Sequence, residues 1–369
     1  MINGNPLQSL LIRVAAASLL CCLLIILIFP GRVVAVTYEY LRARVVEVED
    51  VERPEHIEQQ VKAEILGGAR SGERLSFANH YSETIPGLYY LNVGSYVVLG
   101  LQYDGGELRS VFLQDIARDR SMVLLAVIFA ALLIVIGRAQ GLKTLVTLLV
   151  TAVALVFFLL PAILNGYDPI VASAGTAGVI ALVTLLVVGG WNRKSLAAIL
   201  GTLSGVLVAG SLTLWFGSVL ELTGFTSEEA HMLRVYGGIT NLRGVLFGGI
   251  ILGSLGAVTD VGMSIASAAL EIKQANTGIS RKALFRSAMN VGRDIMGTMA
   301  NTLILAYVGT TMPLLLLVLH LETDWLVIAN MNIIAAEMLR GMAGSIGLVV
   351  SIPATASVAA LILSAKDTQ

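Results

Sequence analysis

Charge is what this chain has least of. Only 13% of its 369 residues are Asp, Glu, Lys or Arg, against 56% hydrophobic ones, and the mean hydropathy is +0.83. That balance belongs to polytopic membrane proteins. The formal net charge of −1 comes with no basic array, so nucleic acid is not an expected partner. Cysteine is almost absent: Cys21 and Cys22 stand side by side in an apolar run and read as small apolar residues, not a disulfide. Leu20 before them is a poor fit to a lipoprotein cleavage site. Also missing are a Walker A loop, an HExxH helix and a nucleophile elbow. The groups His320, Glu322, Asp324 and His231, Glu228, Glu229 are too thin for a metal site. The reading is a non-enzyme with no catalytic residue, metal or cofactor.

What the chain has instead is long apolar runs. The first, about 8–29, is not followed closely by a small-x-small cleavage site, so 1–30 reads as a retained membrane anchor. Residues 31–119 change character. They carry much of the charge and alternate like strands in RARVVEVED, QQVKAEIL, RLSFAN, GSYVVLGLQY and LRSVFLQD, with a hairpin signal at Asp104-Gly105-Gly106. Five short strands predict a small barrel or sandwich between the first and second membrane spans. Residues 120–366 hold seven further runs of spanning length, at about 121–137, 142–164, 168–190, 195–220, 242–271, 294–319 and 346–365. The fold class is therefore a polytopic α-helical membrane protein of about eight transmembrane helices with a small extracytoplasmic β domain.

The connections orient it. Arg138, Lys143, Arg193 and Lys194 mark two basic turns, and Lys273, Arg281, Lys282, Arg286 and Arg293 a third, while 165–169 carries no cation and 227–235 is acid-rich. The alternation puts both termini in the cytoplasm and the strand domain outside. Within the loop 272–293, Ser280 is placed to cap a short amphipathic helix, with Ala283, Leu284 and Met289 on one side, lying along the inner surface. Residues 324–343, broken by Asn330, Asn332, Glu337 and Arg340, read as an outer interfacial helix, with Glu337 and Arg340 as a local pair.

The informative residues are the polar ones inside apolar runs. Gly249, Gly253, Gly256, Asp260, Ser264, Ser267 and Glu271 recur every three or four positions, which is one stripe of a helix. The glycines predict close helix packing. Asn290, Asp294, Thr298 and Asn301, with Gly297 beside them, form a matching stripe on the next run. The two can meet at similar depth, pairing Asp260 with Thr298 and Asn301. A carboxylate near mid-membrane is costly unless water or a partner meets it, so Asp260 is the leading candidate for a proton relay, with Ser264, Thr298 and Asn301. Asp294 and Arg293, at the inner rim with Asn290, suit a structural or capping role. Ser264, Ser267, Thr298 and Thr302 also fit a purely structural hydrogen-bond network.

LGSLGAVTDVGMSIASAALEI followed by SAMNVGRDIMGTMANTLILAYVG resembles the YibE/F family of bacterial membrane proteins. So do AAILGTLSGVLVAG, TGFTSEEAHML and AGSIGLVVSIP, and the likeness covers roughly 120–365. The anchor and strand domain resemble the longer, YibE-like members. This implies a bacterial plasma membrane protein and a paired YibF-like subunit, or a homo-oligomer, as partner besides the lipid bilayer. A fainter similarity is to the proton-carrying half of SecDF and RND transporters, at the level of fold plan only. Two functions follow as expectations. One is an ion-gradient-coupled transporter or exporter of a small molecule, ion or peptide, with Asp260 carrying the proton. The other is a non-transporting assembly or export helper that binds a polypeptide through the strand domain.

Overall fold

A computed structural model describes residues 37–52, 57–81, 88–104 and 107–364. The anchor expected at 8–29 lies outside them. The chain divides into two compact units, one up to Leu132 and one from Leu133.

All five expected strands are present: β1 (Thr37–Glu52), β2 (Ile57–Ile65), β3 (Arg74–Tyr81), β4 (Tyr96–Asp104) and β5 (Glu107–Ile116). They form one antiparallel sheet in the order β3-β2-β1-β4-β5. Strand β4 returns to lie beside β1, which is a Greek key, and β5 follows by a tight hairpin that pairs Asp104 with Glu107. The outer strands β3 and β5 also approach one another. The result is a five-stranded, partly open barrel of the OB type. Alternation explains its interior: Ala43, Val45, Val61, Ala63, Phe77, Val97, Leu99 and Leu101 point inward and are buried. The long β1 serves both halves because it bends at an irregularity between Val45 and Glu47.

One buried amide pins the loop before β4. Gln59 donates to Asp50 Oδ1 (2.8 Å) and Leu91 O (3.2 Å), and accepts from Leu91 N (2.8 Å) and Asn79 Nδ2 (2.9 Å). All of its hydrogen-bonding capacity is used. Tyr90 donates to the other oxygen of Asp50. That bond, with help from Gln59, holds the Asp50 carboxyl below the usual aspartate range.

The helices are α1 (Asp119–Val153), α2 (Leu160–Leu164), α3 (Pro169–Gly189), α4 (Arg193–Val219), α5 (Glu228–Val235), α6 (Leu242–Ala275), α7 (Arg281–His320), α8 (Trp325–Asn330) and α9 (Asn332–Ser364). A π-helical stretch, Ala154–Leu159, joins α1 to α2 just before Pro161, whose missing N–H disturbs regular pairing. Among the described residues six helical segments are long and apolar enough to cross a membrane. The first, Asp119–Leu164, is broken at Arg138, where φ is 49°. There the chain reverses so tightly that a Cβ on Gly141 would collide with the Leu133 carbonyl. Two of the expected runs, 121–137 and 142–164, are the two arms of this broken segment.

Side-chain caps start most of the others. Asp168 accepts from Ile170 N and Val171 N, Asn192 from Ser195 N, Asn241 from Gly244 N and Ser280 from Ala283 N. Two expected boundaries move. The amphipathic segment after Ser280 is not a separate surface helix: it forms the opening turns of the 40-residue α7. Likewise 332–343 does not belong to an outer interfacial helix. That helix ends at Asn330, and Asn332 opens the continuous 33-residue α9. The Glu337–Arg340 pair satisfies charge inside α9 and lets it run through.

The core of this unit is α4, α6 and α9, with the C-terminal end of α3 and the N-terminal part of α7 added. Leu185, Ile199, Val258, Ile265, Leu284, Leu348 and Ile352 are among its buried side chains. Small residues set its spacing. A Cβ on Gly205 would stand 2.7 Å from the Gly347 carbonyl, and one on Gly262 2.7 Å from Thr202 Oγ1.

Candidate functional site

Asp260 lies roughly midway along α6, as its place in the sequence requires. The helix is amphipathic in an inverted sense. Its packed side carries Gly248, Ser254, Val258, Val261, Gly262, Ile265 and Ala269. The stripe of Gly249, Gly253, Gly256, Asp260, Ser264 and Glu271 is the opposite, open side, with Ser267 at its margin. No hydrogen bond or ion pair among the described residues reaches Asp260.

The packing role expected for that stripe is therefore corrected. A Cβ on Gly249, Gly256 or Gly297 would meet nothing within 4 Å, and only Gly253 is approached, by the Tyr307 hydroxyl at 3.0 Å. The glycines that carry helix contacts are Gly201, Gly205, Gly217, Gly248, Gly262, Gly292 and Gly347.

The expected facing residues are joined by no hydrogen bond among the described residues. Thr298 donates to the Ile295 carbonyl (2.9 Å) and Thr302 to the Thr298 carbonyl (2.9 Å), so these hydroxyls serve their own helix. Asn301 is exposed. What α7 turns to the core is Ile295, Met296, Met299 and Leu303. Burying that apolar face rotates Asn290, Asp294, Thr298 and Asn301 outward. Arg293 donates to Asn290 Oδ1 (3.1 Å). Asp294 caps nothing, because α7 has already begun at Ser280.

Glu337 and Arg340 do form the expected pair, Nη1 to Oε1 at 3.2 Å, but it is less wet than an interfacial pair. Their side chains are only 17% and 28% exposed, and Glu337 Oε2 and Arg340 Nε have no hydrogen-bond partner. The Arg340 guanidinium stands 5.9 Å from the centre of the Tyr307 ring. Tyr307 thus links α7 to the ion pair on α9 and to Gly253 on α6, two helical turns from Asp260. From there the open side of α6 runs past Gly256 to the carboxylate.

Sequence reasoning misses Tyr307 and a second feature, the buried hydroxyls of Thr202 and Thr355. Both residues are fully buried, and neither hydroxyl has a hydrogen-bond partner. They meet at the seam where α4, α6 and α9 approach across Gly201 and Gly262. The signal was present in the four-residue spacing of Ala197, Gly201, Gly205, Ala209, Thr213 and Gly217 along α4, all of them buried. At the other end of the unit, Asn332 Nδ2 reaches Thr223 Oγ1 (3.0 Å) and the Phe225 carbonyl (3.2 Å). His231 packs against the Phe225 ring, with centres 4.8 Å apart. Asp324 accepts from Leu326 N and so caps α8.

No curated protein and no solved structure matches the chain. A family model described as YibE/F-like protein matches residues 125–365, from the second turn of α1 to the end of α9, and the chain belongs to that family of membrane proteins.

Proposed function

We propose that the protein is an ion-gradient-coupled secondary transporter or exporter in which Asp260 takes up and releases the coupling proton. One observation carries the reading: a carboxyl group halfway along a membrane helix, on its open side, with no partner. An ionisable group at that depth is retained at a cost of several kcal/mol unless something meets it, and here no structural bond offsets that cost. The Gly256 gap gives ions or water room to reach it, and Ser264 continues the polar line towards Glu271. The Glu337–Arg340–Tyr307 cluster guards the opposite approach. Thr298 and Asn301, turned outward on α7, belong to the relay only if α7 rotates relative to α6. The cationic turns support cytoplasmic termini and an extracytoplasmic barrel in a bacterial plasma membrane. A paired YibF-like subunit or a second copy is the natural cover for the open stripe.

The test is Asp260→Asn in full-length protein reconstituted in vesicles. The variant should purify and melt as wild type but lose proton movement driven by an imposed pH gradient. It should also lose a pH-dependent carboxylic acid band in infrared difference spectra. Unchanged proton movement in Asp260→Asn rejects the role, as does a variant that simply unfolds while Asp260→Glu also fails to restore it.

A second reading, an assembly or export helper, draws on the barrel. Tyr38 and Tyr40 are 49% and 55% exposed on the outer face of β1, beside Phe112 of β5. That surface suits a polypeptide, and its deletion separates the two functions.

A further inference from the structure

The barrel meets α1 through a cluster of arginines whose bookkeeping does not balance. Arg42 pairs with Asp119. Arg118 pairs with Asp115 at 2.9 Å and also donates to the Tyr89 hydroxyl at 2.9 Å. Glu64, the residue opposite Arg44 across β1–β2, is engaged by Arg74 at 3.5 Å. Arg44 and Arg120 are left without a carboxylate among the described residues. Both nevertheless converge on one aromatic ring, with guanidinium carbons 5.9 Å and 5.6 Å from the centre of Tyr96. Two uncompensated cations at one tyrosine repel each other unless an anion joins them.

Their height identifies the anion. Arg120 sits two residues before Met122, where the lipid-exposed part of α1 begins. Met122, Val123, Leu124 and Leu125 are all at least 60% exposed, and none of the most apolar window of this segment is buried. A run this apolar and this exposed has the composition of a lipid-facing segment. Arg120 is then about 3 Å along the helix from the first lipid-facing side chain. Tyrosine and arginine are the residues that populate this depth, where a ring sits among headgroups and a guanidinium reaches phosphate. A guanidinium binds phosphate in a forked, two-bond geometry, and it stays charged at any working pH.

We propose that Arg44, Arg120 and Tyr96 form a binding site for the phosphate of an anionic phospholipid in the leaflet on the barrel's side. The phosphate bridges the two arginines and relieves their mutual repulsion, and it ties the barrel to the membrane surface at the point where α1 enters. The site stands apart from Asp260 and does not depend on any transport role.

Native mass spectrometry of the full-length protein, titrated with phosphatidylglycerol, phosphatidylcholine or inorganic phosphate, tests it. Wild type should retain phosphatidylglycerol over phosphatidylcholine. Each of Arg44→Gln and Arg120→Gln should weaken that retention roughly fivefold, as expected for about 1 kcal/mol per basic group at a charged membrane surface. The double variant should lose the preference, whereas Arg74→Gln should keep it. Should the double variant fail to purify as wild type, the two single variants decide. Equal retention in wild type and the Arg44 and Arg120 variants overturns the proposal, and so does an equal loss in Arg74→Gln. Displacement of phosphatidylglycerol by inorganic phosphate alone would also overturn it, since the site would then be one for a soluble anion.

Discussion

The two sides of α6 are built from the same kinds of residue and do opposite things. On one side Gly248, Gly262 and Ser254 are pressed against Ser173, Thr202 and Gly344 of neighbouring helices. On the other, Gly249 and Gly256 touch nothing, and Asp260 lies between Gly256 and Ser264 without a bond. Glycine on the packed side brings backbones together; glycine on the open side keeps a space clear. The contrast teaches that a small-residue stripe marks a face without saying what the face is for.

The strongest test of the contrast is to fill each side in turn. Gly262→Leu forces side-chain atoms into Thr202 and should cost about 3 kcal/mol or more, read as a lower melting temperature of the purified full chain. Gly256→Leu adds the same atoms to open space and should stay within about 0.5 kcal/mol of wild type. Equal losses at the two positions would show that the open side is packed after all, in the assembled protein.

The barrel extends the comparison to polar groups, because there, among the described residues, no buried side-chain nitrogen or oxygen is left without a hydrogen-bond partner. Gln59→Leu deprives the buried backbone N–H and carbonyl of Leu91 of their side-chain partner and Asn79 of one of its two. It should cost about 1–3 kcal/mol for each group left buried and unsatisfied, with faster amide hydrogen exchange at Leu91. Asp260→Asn should leave exchange throughout α6 as it was. The smallest effect concerns acid. Asp50 is held below its ordinary value of 3.8 by Tyr90 and Gln59. A depressed carboxyl adds stability that is complete above the unfolded value and disappears as the pH falls through the folded one. Hydrogen exchange in 88–92 should therefore accelerate below about pH 4, and Asp50→Asn should remove that dependence.

Much of this was legible beforehand, for identifiable reasons. The five strands followed from alternation at positions such as Val61, Ala63 and Ile65, and the hairpin from the Asp104-Gly105-Gly106 step. Ser280 announced where α7 begins, whereas the caps at Asp168, Asn192 and Asn241 emerged only from the structure. The place of Asp260 roughly midway along α6 followed from counting residues. Orientation about the helix axis did not follow, because both sides of α6 carry glycine and serine at helical spacing. Only the partner surfaces on α4 and α9 decide which side is buried. Lengths failed at 332–343, where Glu337 and Arg340 read as a wet surface pair that ends a span, whereas their largely buried side chains lie within the continuous α9.

The placement of α7 has a mechanical consequence. Its N-terminal part is clamped by Leu284, Ala288 and Gly292, the last set against Ile352 and Ile265. Beyond Leu303 the side chains of Ile304, Leu305, Met312 and Leu316 stand largely in the open. Val318, near the tip, is buried again; once that contact is released the arm is a cantilever, and small angles at the clamped end become large excursions at the tip. A tilt of about 10° at Gly292 would carry Leu317 through roughly 6 to 7 Å at 1.5 Å per residue. Tyr307 rides on that arm, so its distance from Gly253 and Arg340 gauges how far the arm has swung.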